Sequence, residues 1–218
     1  MRPRSGRAET PVIIAQAALS SMTRRMQNTP LIHWHSMFMG VALLAAARSK
    51  DGRKRNGACI ASADNKILGV GYNGLPRGCD DDDPSYWSDI DDDPVQSRHS
   101  YIVHAEVNAI LNCVVLPLTA STIYTTQFPC PRCVQSIIQV GIKRVVFLEK
   151  KSHQVALNQA SDKMLADAGI DVLSLEQLEA PAAEWCDKLD DFIRDTGPVV
   201  HGVAVPVQSP PAVPPAPK

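Results

Sequence analysis

Apolar residues recur along this chain at two different periods. Between Leu31 and Lys50 the positions Trp34, Phe38, Val41, Ala42, Ala45 and Ala46 follow helical spacing. Asn56–Ser62 and Lys66–Tyr72 have strand character, and Ala63-Asp64-Asn65 between them is good turn chemistry, so the pair predicts a hairpin. Val103–Asn112 returns to the helical period, with Val107, Ile110 and Leu111 on one face. Alternation follows. A strand is expected over Ser121–Thr126, a helix over Pro131–Val140 ending at Gly141, and a strand over Lys143–Leu148. Then come a helix over Val155–Ala168 ending at Gly169 and a strand over Ile170–Leu173. Strand–helix–strand order with glycine stops predicts an α/β fold with parallel neighbours and crossover helices. Leu175–Asp195, carrying Trp185, Leu189 and Phe192, predicts a further helix.

Both ends depart from this pattern. Arg2, Arg4 and Arg7 precede the apolar run Val12–Leu19, which has some character of a signal or transit peptide. Gln16 breaks that run, so a disordered extension is expected for residues 1–30. From Gly197 the chain is rich in Val and Pro and lacks core-forming periodicity, so residues 197–218 are expected to be a disordered or extended tail. Residues 31–196 are left as one domain, and 218 residues suffice for one full core. No apolar run reaches the length of a membrane span. A formal net charge of -1 gives no global basic field to gather a polynucleotide. The six cysteines do not form a secreted disulfide framework, which favours a reducing, cytoplasmic compartment.

His104-Ala105-Glu106, followed by Pro129-Cys130-Pro131-Arg132-Cys133, changes the picture. His, Glu two residues on, and a later Pro-Cys-x-x-Cys is the pattern of zinc nucleobase deaminases. His104, Cys130 and Cys133 supply three ligands, and a catalytic zinc keeps its fourth position for water. Glu106 is then left as the proton carrier. Pro131 suits a first helical turn, and residues three apart there put both sulfurs on one side. Helix N-termini aimed at the ion favour thiolate over thiol. A structural zinc wants a fourth ligand in a second paired spacing, and none exists here. A redox Cys-x-x-Cys leaves His104 and Glu106 unexplained.

Other stretches carry weaker signals. The loop Gly71–Cys79 holds glycines and Asn73, which tolerate positive φ and could turn N–H groups toward a phosphate or sugar. Residues 80–99 form an acidic insert, expected to be a solvated loop held open by like charges. The alternative is that some of its carboxylates hold Mg²⁺ with a triphosphate. Arg98 and His99 could face a phosphate, and Tyr101 a sugar or the core. His33 and His35 are expected to cap or face solvent. Cys59 and Cys113 are expected as buried small hydrophobes. Cys79 with His99 could begin a second zinc site, although two further ligands are not apparent.

Gly71-Tyr72-Asn73-Gly74-x-Pro76, His104-Ala105-Glu106-x-Asn108-Ala109-Ile110, Phe128-Pro129-Cys130-x-x-Cys133 and Gly141-Ile142-Lys143 together resemble the deoxycytidylate (dCMP) deaminases, from about residue 34 to about residue 175. The resemblance implies a central mixed five-stranded sheet flanked by helices, the three-layer cytidine-deaminase-like fold. It implies Zn²⁺ on His104, Cys130 and Cys133, Glu106 as catalytic residue, and hydrolysis of dCMP to dUMP and ammonia for thymidylate synthesis. It further implies a small-molecule nucleotide substrate, a homo-oligomer (often a hexamer), activation by dCTP with Mg²⁺ and inhibition by dTTP. Asn73, Gly74, Tyr101 and Ala105 become candidate substrate or effector contacts, with Arg77, Lys151 and His153 behind them. One departure stands out. Family members commonly carry a Tyr after the strand matching Lys143–Leu148, and here that stretch is Glu149-Lys150-Lys151-Ser152-His153. The other readings are another zinc deaminase, such as one acting on tRNA adenosine, and a non-catalytic nucleotide sensor.

Overall fold

The computed structural model describes residues 32–90 and 92–178. The expectations for residues 1–30, for the tail from Gly197 and for the last predicted helix beyond Leu178 lie outside the described residues. In chain order the elements are α1 (Trp34–Ala46), β1 (Gly57–Ala61), β2 (Ile67–Tyr72), α2 (Ala105–Leu111), β3 (Thr122–Gln127), α3 (Pro131–Gln139), β4 (Arg144–Glu149), α4 (Val155–Asp167), β5 (Asp171–Ser174) and α5 (Leu175–Leu178).

The five strands form one sheet in the order β2-β1-β3-β4-β5. β1 runs antiparallel to β2 and β3, whereas β3, β4 and β5 are mutually parallel. This is the expected mixed sheet. The β1–β2 hairpin turns at Asn65, whose φ of 62° is one that Asn tolerates. Successive side chains on a strand point to opposite faces, and the core divides accordingly. Ile60, Ile123 and Val145 join Ala105, Ala109, Val134, Ile137 and Leu165 from α2, α3 and α4. Cys59, Tyr124 and Val146 join Phe38, Met39 and Leu43 from α1, with Leu175 of α5. Both sheet faces are covered, which is why all five β1 residues are buried. No described helix is long and apolar enough to cross a membrane.

Two expectations change. α1 begins at Trp34, so His35 lies in its first turn and meets the sheet, with Nδ1 2.8 Å from the Tyr124 hydroxyl. It is a packing contact and not a solvent-facing side chain. Gly71 lies within β2, where its missing side chain lets α2 approach: a Cβ there would overlap Ala109 N and Ala105 O. The glycine serves helix-on-strand packing, and α2 in turn carries the residues of the motif at its start.

Gly71→Ala must push α2 off the sheet and is expected to lower the unfolding free energy by about 1–3 kcal/mol. Gly52→Ala, where nothing lies within 4 Å of the added carbon, is expected to stay within about 0.5 kcal/mol. Urea melts of the two variants check this.

Candidate functional site

α2 and α3 stand on the same sheet face and begin at the same end of it. His104 is the N-cap of α2 (φ -70°, ψ 155°) and Cys130 the N-cap of α3 (φ -70°, ψ 166°). Pro131 opens α3, as its fixed φ favours, and Cys133 follows within the first turn. The sequence places the start of the second helix at Val103. The structure starts it two residues later, because Val103 pairs instead with Gly74.

The three ligand atoms converge. His104 Nδ1 lies 3.3 Å from Cys133 Sγ and 3.4 Å from Cys130 Sγ, and the two sulfurs are 3.7 Å apart. A disulfide would need about 2.05 Å, and both cysteines are free. Tetrahedral zinc with bonds of about 2.3 Å to sulfur and about 2.0 Å to nitrogen sets sulfurs about 3.8 Å apart and sulfur and nitrogen about 3.5 Å apart. The observed triangle matches those edges within a few tenths of an ångström. Among the described residues this is the one His/Cys/Asp/Glu group with metal-binding spacing. Cys79 and His99 do not build another.

Glu106, on the first turn of α2, is 7% exposed. Burial lifts its carboxyl above the usual carboxylate range, and the nearby His104 opposes that rise. Hydrogen bonding with Cys133 lowers the Cys130 thiol to about 3; burial opposes this and His104 assists it. Cys133 itself is pushed up strongly, by the Cys130 thiolate first and then by burial. The metal-free trio therefore carries a proton that must leave when a metal binds.

The remaining candidates fall into three places. Ala105 is buried at the start of α2, between His104 and Glu106. Asn73 is buried and committed within the chain: Nδ2 donates to Asp51 Oδ2 (3.0 Å) and Lys54 O (3.0 Å), and Oδ1 accepts from Asn56 N (2.7 Å). Gly74 N–H donates to Val103 O at 3.1 Å and Asn73 N–H to Asn56 O at 3.1 Å, so these two groups are already committed within the chain. Lys151 is half-buried just beyond β4. Burial, then Lys54 and Arg98, lowers its ammonium pKa against the pull of Glu149 and Asp51. Its charge also reaches His104. Tyr101 faces the insert, where its hydroxyl donates to Val95 O (2.9 Å) and its ring meets Tyr86 edge-on. Arg77 and His153 stand exposed.

Sequence reasoning missed the hub of this polar belt. Asp51, 3% exposed, accepts from Arg53 N (2.8 Å), Lys54 N (3.2 Å), Asn73 Nδ2 (3.0 Å) and Arg98 Nη1 (2.6 Å). Asp51-Gly52 looks like an ordinary turn, and nothing local announces a partner at residue 98. Arg98 Nε also donates to Asp89 Oδ1 (2.6 Å), and Arg53 pairs with the other Asp89 oxygen. The acidic insert is thus tied down rather than splayed open, since Arg98 near its end bonds to Asp51 outside it and to Asp89 within it, and Arg53 reaches in to Asp89. Lys50 also pairs with Asp81 and Asp82, both at 3.4 Å. Exposed pairs of that kind contribute about 0–1 kcal/mol. Removing one partner of the buried Asp51–Arg98 pair costs about 3–5 kcal/mol, so Arg98 is the main tether.

A carboxyl whose folded-state pKa is raised contributes its stability fully below its unfolded value of about 4.3, and that contribution fades as pH rises through the folded value. Glu106→Gln removes this titration. The metal-free variant is expected to melt at or above metal-free wild type, with the gap opening as pH rises above about 4, as thermal melts across a pH series will show.

The family described as the cytidine and deoxycytidylate deaminase zinc-binding region matches residues 32–149. A probable deoxycytidylate deaminase of Drosophila melanogaster is 39% identical over 167 residues, covering 73% of this chain and 82% of its own length. The deoxycytidylate deaminase of Homo sapiens is 40% identical over 139 residues, 64% of this chain and 78% of its own. Among solved structures, the dCMP deaminase of cyanophage S-TIM5 in complex with dCMP and dUMP aligns with a TM-score of 0.48 at 24% identity, over 63% of this chain and 93% of that one. The family match and the sequence relatives carry the assignment: this chain belongs to the zinc-binding cytidine and deoxycytidylate deaminase family.

Proposed function

We propose that this protein hydrolyses dCMP to dUMP and ammonia. The observation that carries this reading is a buried carboxyl, Glu106, beside a His–Cys–Cys trio of zinc-binding geometry. Support for the substrate comes from relatives about 40% identical that are named deoxycytidylate deaminases.

His104, Cys130 and Cys133 would hold the zinc, which when bound would lower the pKa of water toward neutrality and so supply a nucleophile for C4 of the pyrimidine. The chain's own part is proton handling. Glu106 takes one proton of the attacking water and delivers it to N3, and then carries the remaining hydroxyl proton to the departing amine. Its raised pKa suits a group that must both accept and return a proton. Water adds its oxygen at C4, ammonia leaves, and the ring becomes uracil. Lys151, a half-buried ammonium that forms no ion pair among the described residues, is the side chain best suited to a 5′-phosphate. Ala105 lines the start of α2 next to the reacting centre. We further propose a cytosolic homo-oligomer, a hexamer by family resemblance, that supplies dUMP for thymidylate synthesis and responds to dCTP–Mg²⁺ and dTTP.

Ammonia release is expected from dCMP, with much less from dCTP, deoxycytidine or cytidine under the same conditions. No turnover of any monophosphate defeats the reading. Glu106→Gln is expected to lower kcat about 10²–10⁴-fold while metal analysis still finds one zinc per chain. Lys151→Ala is expected to raise KM for dCMP more than tenfold with little change for deoxycytidine. An equal change for both would remove Lys151 from the phosphate.

A further inference from the structure

Two turns meet at the carboxyl end of the parallel strands. β1 runs antiparallel to β3 with Ala58 opposite Thr125, so the turn before β1 lies beside the end of β3. Asn56 of that turn donates through Nδ2 to Gln127 Oε1 at 3.4 Å. Gln127 is in register with Glu149 at the end of β4, and Phe128 N–H donates to Glu149 O at 2.7 Å. Glu149 is therefore held beside the strand end that leads, two residues after Phe128, to Cys130. Lys54 ties the two turns together, its Nζ 2.6 Å from Glu149 Oε2. Its backbone is fixed on both sides: N–H donates to Asp51 Oδ1 at 3.2 Å, and O accepts from Asn73 Nδ2 at 3.0 Å. Lys151 lies two residues beyond Glu149. After burial, the Lys54 charge is the largest cause that lowers the Lys151 ammonium, and Lys151 also acts on His104. Charges felt across a partly exposed site stand within about 10 Å of one another. Lys151 is thus within reach of both the metal trio and Lys54.

Cations outnumber available anions here. Lys54 and Lys151 stand near the one carboxylate of Glu149. Asp51, the other carboxylate nearby, is committed to Arg98 and to backbone N–H groups. The Lys54 and Glu149 side chains are 43% and 53% exposed. A pair that open adds little to stability, so the fold loses little when it parts. A phosphate monoester brings a charge of about -1.5 to -2 and three strong acceptor oxygens. It can bond both ammoniums at once, where Glu149 bonds Lys54. A nucleoside without phosphate leaves the pair as it is.

Resting on the dCMP reading above, we propose that the Lys54 ammonium is a second ligand of the nucleotide's 5′-phosphate beside Lys151, and that Glu149 holds it in the free protein until the phosphate takes its place. Lys54 and Glu149 then set the preference for a monophosphate over a nucleoside. Two variants test this. Lys54→Met removes the ammonium and keeps the bulk. Glu149→Gln removes the competing charge. Lys54→Met is expected to raise KM for dCMP about tenfold, the loss of one charge-assisted hydrogen bond, with kcat changed less. It is also expected to weaken competitive inhibition by inorganic phosphate by a similar factor. Glu149→Gln is expected to lower KM for dCMP about two- to fivefold, the worth of an exposed ion pair, and to strengthen inhibition by inorganic phosphate. In the double variant the gain from Glu149→Gln is expected to vanish, because Glu149 acts through Lys54. Both single variants are expected to melt within about 2 °C of wild type. An unchanged KM for dCMP in Lys54→Met overturns the proposal. A Glu149→Gln gain that persists in full without Lys54 also overturns it, since Glu149 is then a general repulsive charge. So does a raised KM in Glu149→Gln, which makes the pair a structural tie. A wild-type protein that turns over no monophosphate defeats the parent reading first, and this inference with it. Turnover of dCMP that Lys54→Met leaves untouched defeats this inference alone.

Discussion

The structure depends on two helices starting side by side at one end of one sheet face. α2 and α3 carry their motif residues at the cap and within the first turn, so whatever fixes the start of each helix fixes the metal geometry. Small residues allow this. Gly69 and Gly71 of β2 leave room for the backbone of α2, and Ala105 and Ala109 let that helix sit deep in the core. Close packing leaves few alternative positions, which is why an ångström-scale triangle of donors can be held by side chains from distant parts of the chain.

Charge in this centre is arranged by burial as much as by neighbours. Glu106 is enclosed by the same packing that holds the donors, and desolvation keeps its carboxyl ready to be protonated. The two cysteines divide between thiolate and thiol in the metal-free chain because one stabilises the other at its own expense. A dication on the trio would favour both thiolates and bring the centre to a single charge state. Folding, metal affinity and proton handling are linked through one small volume.

A second layer of order surrounds the centre. Asp51 collects two backbone N–H groups, the Asn73 amide and the Arg98 guanidinium, so three separate segments meet at one buried carboxylate. Arg98 carries that link outward to Asp89. The acidic insert is thus tied to the same buried carboxylate that orders the Asn73 loop.

Legibility divides along the range of the forces involved. The α/β alternation, the hairpin, the helix stops at Gly141 and Gly169 and the two halves of the His104/Glu106/Cys130/Cys133 motif were readable because each rests on periodicity, turn chemistry or short spacing, and the mixed five-stranded sheet was legible only through the family resemblance. The resemblance to dCMP deaminases rested on the same local strings. What Gly71 is for, why His35 turns inward to Tyr124, how the insert is held, and that Lys54 meets Glu149 were decided by tertiary structure alone. Each joins residues far apart in sequence: Asp51 with Arg98, Gly71 with Ala109, Lys54 with Glu149. Composition lays down which groups must be buried or paired, but only the packed chain decides which partner each one meets.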